Sequence, residues 1–104
     1  MRKSSGDVER VEIPGKLLGI DESTVFCNKT IDFTPGDAIV MITDGYLEIK
    51  VDGEESVIRQ DDFMKFAKSL INTESLSATL FENSFLRHFS FEDFVDDRTV
   101  IVIR

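Results

Sequence analysis

Two short acidic stretches stand where apolar runs stop. Asp44 ends the run Ile39–Thr43 and precedes Gly45, while Asp96 and Asp97 come just before the β-rich run Thr99–Ile103. A strand terminus holds its side chains rigidly at the rim of a packed core. Carboxylate oxygen placed there is the donor type that hard cations such as magnesium and manganese take. An Asp before Gly also serves as an ordinary turn residue, and paired aspartates before a strand also serve as plain loop. On these residues alone both readings stand.

The other chemically capable side chains read as structural. His88, the only histidine, falls between Arg87 and Phe89 near the expected end of a helix, and suits a partly buried or surface position better than a general acid. Arg87 and Arg98 carry planar forks suited to phosphate but fit solvated surface roles better. Cys27, alone in the chain, excludes an intramolecular disulfide and reads as a small core hydrophobe in a reducing compartment. The nine phenylalanines recur at helix and strand spacing and are expected in the core rather than as a platform for bases.

The elements that must position these groups can be read in order. With 104 residues, 41% hydrophobic and 31% charged, the chain suits one folded domain over 1–104, with residues 1–7 as a frayed lead-in. A net charge of −8 argues against a nonspecific nucleic-acid surface and against binding to anionic membrane, because both need clustered Lys and Arg. No run approaches the roughly 18 apolar residues of a membrane span, and no signal-peptide pattern opens the chain, so a cytoplasmic location is expected.

Val8–Ile13, closed by the turn pair Pro14–Gly15, and Thr24–Asp32 are predicted to form a first hairpin. Thr34–Pro35–Gly36–Asp37 is a turn signal, and Ala38–Ile42 reads as a strand buried on both faces. Tyr46–Val51 and Glu54–Ile58 flank Asp52–Gly53 as a second hairpin. Phe63, Phe66, Ala67, Leu70 and Ile71 then recur at helical steps, which predicts a helix over 61–71 with Asp61 or Asp62 as its N-cap. A second helix is expected from an N-cap at Ser75 to about His88, with Phe85, Phe89, Phe91 and Phe94 thickening the core, and Thr99–Ile103 closes the chain as a buried strand. The order predicts an α/β (α+β) fold: a mainly antiparallel sheet with two consecutive helices.

Several of these short motifs also occur together in a known order. Leu18–Gly19–Ile20, Phe33–Thr34–Pro35–Gly36–Asp37, Ile39–Val40–Met41–Ile42–Thr43–Asp44–Gly45 with Glu48, and Asp96–Asp97–Arg98–Thr99–Val100–Ile101–Val102 follow one another over roughly residues 16–104. This succession resembles the second half of a SpoIIE-like PPM (type 2C) metal-dependent protein serine/threonine phosphatase domain, whose fold is an αββα sandwich. The resemblance implies that Asp44 and Asp96 are metal ligands, with Thr43, Gly45, Glu48, Asp97 and Thr99 completing the motifs around them. It also implies two divalent cations, manganese or magnesium, which orient a water for in-line attack on a phosphoserine or phosphothreonine. The substrate it implies is a phosphorylated protein, such as an anti-sigma-factor antagonist in bacterial partner switching.

The likeness does not extend to the family's first half. Nothing in residues 1–33 matches the glycine-rich motif whose aspartate bridges the two metals, and two carboxylates alone hold two hard cations poorly. The expectations are therefore an incomplete site, no turnover by this chain alone, and self-association as a homo-oligomer through uncovered sheet surface. A noncatalytic regulatory or scaffold module derived from the same fold remains open beside the phosphatase reading, as does an unrelated small α/β domain.

Overall fold

The computed structural model describes residues 6–13, 15, 18–70 and 75–104. Its ordered framework begins at the proline–glycine turn. Gly36 takes φ 94°, the left-handed value that the third position of a type II turn requires. The buried Asp37 side chain holds the turn by accepting from the Thr34 N–H and the Thr34 hydroxyl, each at 3.0 Å.

From there the chain runs into β1 (Ile39–Ile42), which pairs antiparallel with β5 (Val100–Ile103) in the register Ile39↔Ile103 through Ile42↔Val100. A second sheet joins β2 (Glu48–Val51) to β3 (Glu54–Val57) on one side and to β4 (Asp93–Phe94) on the other, again antiparallel. The β2–β3 connection is the tight turn that the sequence announces. Asp52 and Gly53 both have positive φ, 52° and 78°, as a turn matched to strand twist requires.

Between the sheets' strands in sequence lie α1 (Gln60–Ser69) and α2 (Ala78–His88), so the fold is α+β with antiparallel sheets and two consecutive helices. The helix starts differ from expectation. Arg59 is the N-cap residue of α1 and makes no side-chain cap bond, while Asp61 and Asp62 fall inside the first turn, where their charge faces the positive end of the helix. Ile71 lies outside the described residues. In α2 the cap is Ser77, not Ser75: its Oγ accepts the Leu80 N–H at 3.1 Å.

The two helices meet through aromatic rings. Phe66, Phe81 and Phe85 are fully buried, and Tyr46 joins them edge-on, its centroid 5.3 Å from Phe81 and 5.2 Å from Phe85. Val40, Ile42, Val100 and Val102 cover this core from the β1–β5 side. The opposite face of that pair is uncovered. Met41, Ile101 and Ile103 are 46%, 50% and 44% exposed, so neither β1 nor β5 is buried on both faces as their unbroken apolar runs predict. A two-stranded sheet packed on one side leaves alternate residues outside, whatever their hydropathy.

The first hairpin does not form. Val8 is a single bridge residue, and residues 24–34 carry no strand. An isolated pair of strands needs a packed face to persist, and here Ile13, Val25 and Phe26 are 50%, 86% and 49% exposed. Cys27, expected inside, is exposed as well. Pro14 and residues 16 and 17 lie outside the described residues. Among the described residues, no helix is long and apolar enough to cross a membrane.

Candidate functional site

The two acidic motifs are built on the ends of β1 and β5, which the strand register carries to the same rim. Thr43 extends the pairing by one residue past Ile42↔Val100. Its N–H donates to the Thr99 carbonyl at 3.0 Å, and its Oγ1 accepts the Thr99 N–H at 2.8 Å. Beyond Thr43 the chain makes a single 3-10 turn, Asp44–Tyr46, closed by the Leu47 N–H donating to the Asp44 carbonyl at 2.8 Å.

Gly45 is where the two motifs touch. It is buried, and a Cβ at this position would lie 2.0 Å from the Asp97 carbonyl oxygen and 3.1 Å from the Arg98 Cα. Only a residue without a side chain allows the backbones to approach so closely. A third tie comes from Glu48 at the start of β2, whose carbonyl accepts the Val95 N–H at 3.3 Å. Thus the segments 43–48 and 95–99, distant in sequence, lie side by side. Asp44 and Asp96 are each one residue from the Gly45–Asp97 contact, and both are exposed. The Asp96 Oδ1 accepts the Asp97 N–H at 2.7 Å, which holds that carboxylate against its own turn.

A neighbouring cluster links the same segments through side chains. Tyr46, two residues after Asp44, donates its hydroxyl to Glu82 Oε2 on α2. Arg98, two residues after Asp96, donates to Glu82 Oε1 from Nε at 3.1 Å and also from Nη2. The guanidinium lies over the Phe94 ring, 3.9 Å from its centroid. Arg98 hydrogen bonds hold the Glu82 carboxyl below the usual range against the opposing effect of burial. The Glu82 contact in turn raises Arg98. Burial, reinforced by the hydroxyl's donation to Glu82 and by that carboxylate's charge, pushes Tyr46 up to about 12.

Neither Tyr46 nor Glu82 stands out in the sequence. Glu82 sits in a mostly apolar helical run, and its partners lie 36 and 16 residues away. Arg98, a candidate phosphate fork by residue type, has its fork turned to Glu82 instead. His88 is exposed and rests against Phe66 and Phe89, at centroid distances of 5.2 and 4.8 Å.

The donor chemistry can be set against the cations that the motifs imply. Carboxylates on adjoining turns suit a hard divalent ion, which takes six or more oxygens. Among the described residues no group of three or more His, Cys, Asp or Glu gathers to hold a metal.

No curated protein and no solved structure matches the chain. The family model described as Stage II sporulation protein E (SpoIIE) matches residues 1–104, the whole length. Motifs, antiparallel α+β architecture and family model converge, and the chain belongs to the SpoIIE family of PPM phosphatase-related domains.

Proposed function

We propose that this chain is the C-terminal portion of a metal-dependent phosphoserine/phosphothreonine protein phosphatase acting in bacterial signalling or partner switching. In this reading Asp44 and Asp96 supply one side of a site for divalent manganese or magnesium, and the remaining ligands come from elsewhere. When bound, such cations acidify water and steady the oxygens of a transferring phosphoryl group. The chain's own residues present and orient oxygen: Thr43 and Thr99 fix the register of the two strand ends, and Gly45 lets the two turns close on each other. The partner is a phosphorylated protein such as an anti-sigma-factor antagonist, and the uncovered β1–β5 face favours association between copies.

The single observation that carries this reading is the contact between Gly45 and the Asp97 carbonyl, which brings both motifs to one rim. Titrating the chain with manganese by calorimetry tests it. One weak site is expected, lost in Asp44→Asn and in Asp96→Asn, with no aryl-phosphate turnover by the chain alone. Binding that survives both substitutions unchanged removes these residues from the site.

A second reading, a noncatalytic regulatory or scaffold module on the same fold, is favoured by the small number of gathered donors among the described residues. It predicts no manganese binding at all at millimolar metal.

A further inference from the structure

Among the described residues, the Glu82 side chain bonds to side chains from both acidic turns. Tyr46 belongs to the Asp44 turn and Arg98 to the Asp96 segment, and the two oxygens of one carboxylate accept from both. Backbone pairing at Thr43 and Thr99 fixes how the strands slide, and the Gly45–Asp97 approach fixes how near the turns come. Neither sets the rotation of one turn about the other. An anchor on a separate helix, added to the Glu48–Val95 tie, does, and α2 supplies it.

The anchor is geometrically confined. Arg98 donates from Nε and Nη2 to the same oxygen while its flat face rests on Phe94, so its side chain has little freedom to swing. Tyr46 is held on its other side by Phe81, Phe85 and Phe94. Exposed ion pairs generally add little to global stability, so a carboxylate so fully engaged at this place has its main effect on local geometry. We propose that Glu82 is a positioning residue that clasps the two aspartate-bearing turns and sets their mutual orientation. This deepens the proposed function and rests, for its cation arm, on Asp44 and Asp96 being ligands.

The test compares the full chain with Glu82→Ala, Glu82→Gln and Arg98→Lys, and with Phe63→Leu as a core variant away from the clasp. Manganese affinity is read by calorimetry. Without metal, amide exchange at Thr43 and Thr99 and the fluorescence of Tyr46, the only tyrosine in a chain without tryptophan, are read in parallel. Glu82→Ala is expected to weaken manganese binding about 10- to 100-fold, as loss of a ligand-supporting partner does, and to speed exchange at both amides. Glu82→Gln, whose amide oxygen still accepts, recovers most of the affinity. Arg98→Lys, which keeps the charge but loses the fork, behaves like a milder Glu82→Ala, and Phe63→Leu lowers stability without moving affinity. Unchanged exchange and fluorescence in both Glu82→Ala and Arg98→Lys overturn the clasp. If exchange accelerates but the unsubstituted chain takes up no manganese, the clasp stands and the ligand assignment fails. If manganese binds equally to the unsubstituted chain and to Glu82→Ala, the assignment stands and the clasp fails.

Discussion

At Gly45 the space for a side chain is already filled by the backbone of Asp97, and backbone gives way less easily than a side chain. Gly45→Ala must push the Asp44 turn and the Asp97 segment apart, at a cost of about 3 kcal/mol in line with other overpacking substitutions. Urea denaturation should show the midpoint falling accordingly, whereas alanine at Gly53, which has open space around it, acts only through its positive φ. Two of the clasp's three ionisable groups, Glu82 and Tyr46, respond to pH in opposite directions. Glu82 has a lowered value when folded, so its contribution is complete above the ordinary carboxylate value of 4.5 and fades as pH falls through the lower folded value. Tyr46 is raised from 10.0 to about 12, so folding is favoured fully below pH 10 and loses ground as pH climbs between those values. Ultraviolet difference titration of this single tyrosine should therefore show ionisation only near pH 12 or together with alkaline unfolding. Ionisation near pH 10 in the folded chain would mean that the hydroxyl is neither buried nor in contact with Glu82.

Elements defined by their own residues were the ones visible in the sequence. Asp52–Gly53 carries the positive φ values of its turn in its composition, and Phe63, Phe66, Ala67 and Leu70 recur at the spacing of one helix face. β1 and β5 were legible as strands because both are runs of β-branched and apolar residues. Their one-sided burial was not, because it depends on what lies across each face, and sequence alone carries no such information. The N-terminal hairpin failed for the same reason: alternation marks a strand only where a partner and a core accept it, and Val25 and Phe26 stay exposed. The candidate site divides along this line too. Asp44 and Asp96 were marked by their strand ends and by the motifs around them, whereas Tyr46 and Glu82 come together only through the packing of α2.

For the molecule as a whole, the balance between its compact part and its uncovered surface governs behaviour in solution. The aromatic centre between the helices is closed, yet a cavity of about 690 Å³ opens beside it, lined among others by Val11, Ile13, Met41, Phe63 and Met64. Together with Met41, Ile101 and Ile103 exposed on the outer face of β1 and β5, this is apolar surface of a kind that can mediate association. Sedimentation velocity at rising concentration should show an increasing average coefficient, and Ile101→Glu should suppress the rise. A single monomeric boundary at every concentration would mean that this face does not mediate association.

The partnership of residues 39–42 with 100–103 also sets a timetable for the chain's birth. During synthesis the Asp44 turn emerges from the ribosome long before the segment that must lie against Gly45, and until then it is a loop with no opposite wall. Any nascent product interrupted ahead of Val100 would carry the threonine–aspartate–glycine motif without the geometry that could make it useful. On the proposed assignment of Asp44 and Asp96, such a fragment would bind no cation, whatever its remaining elements had managed to fold.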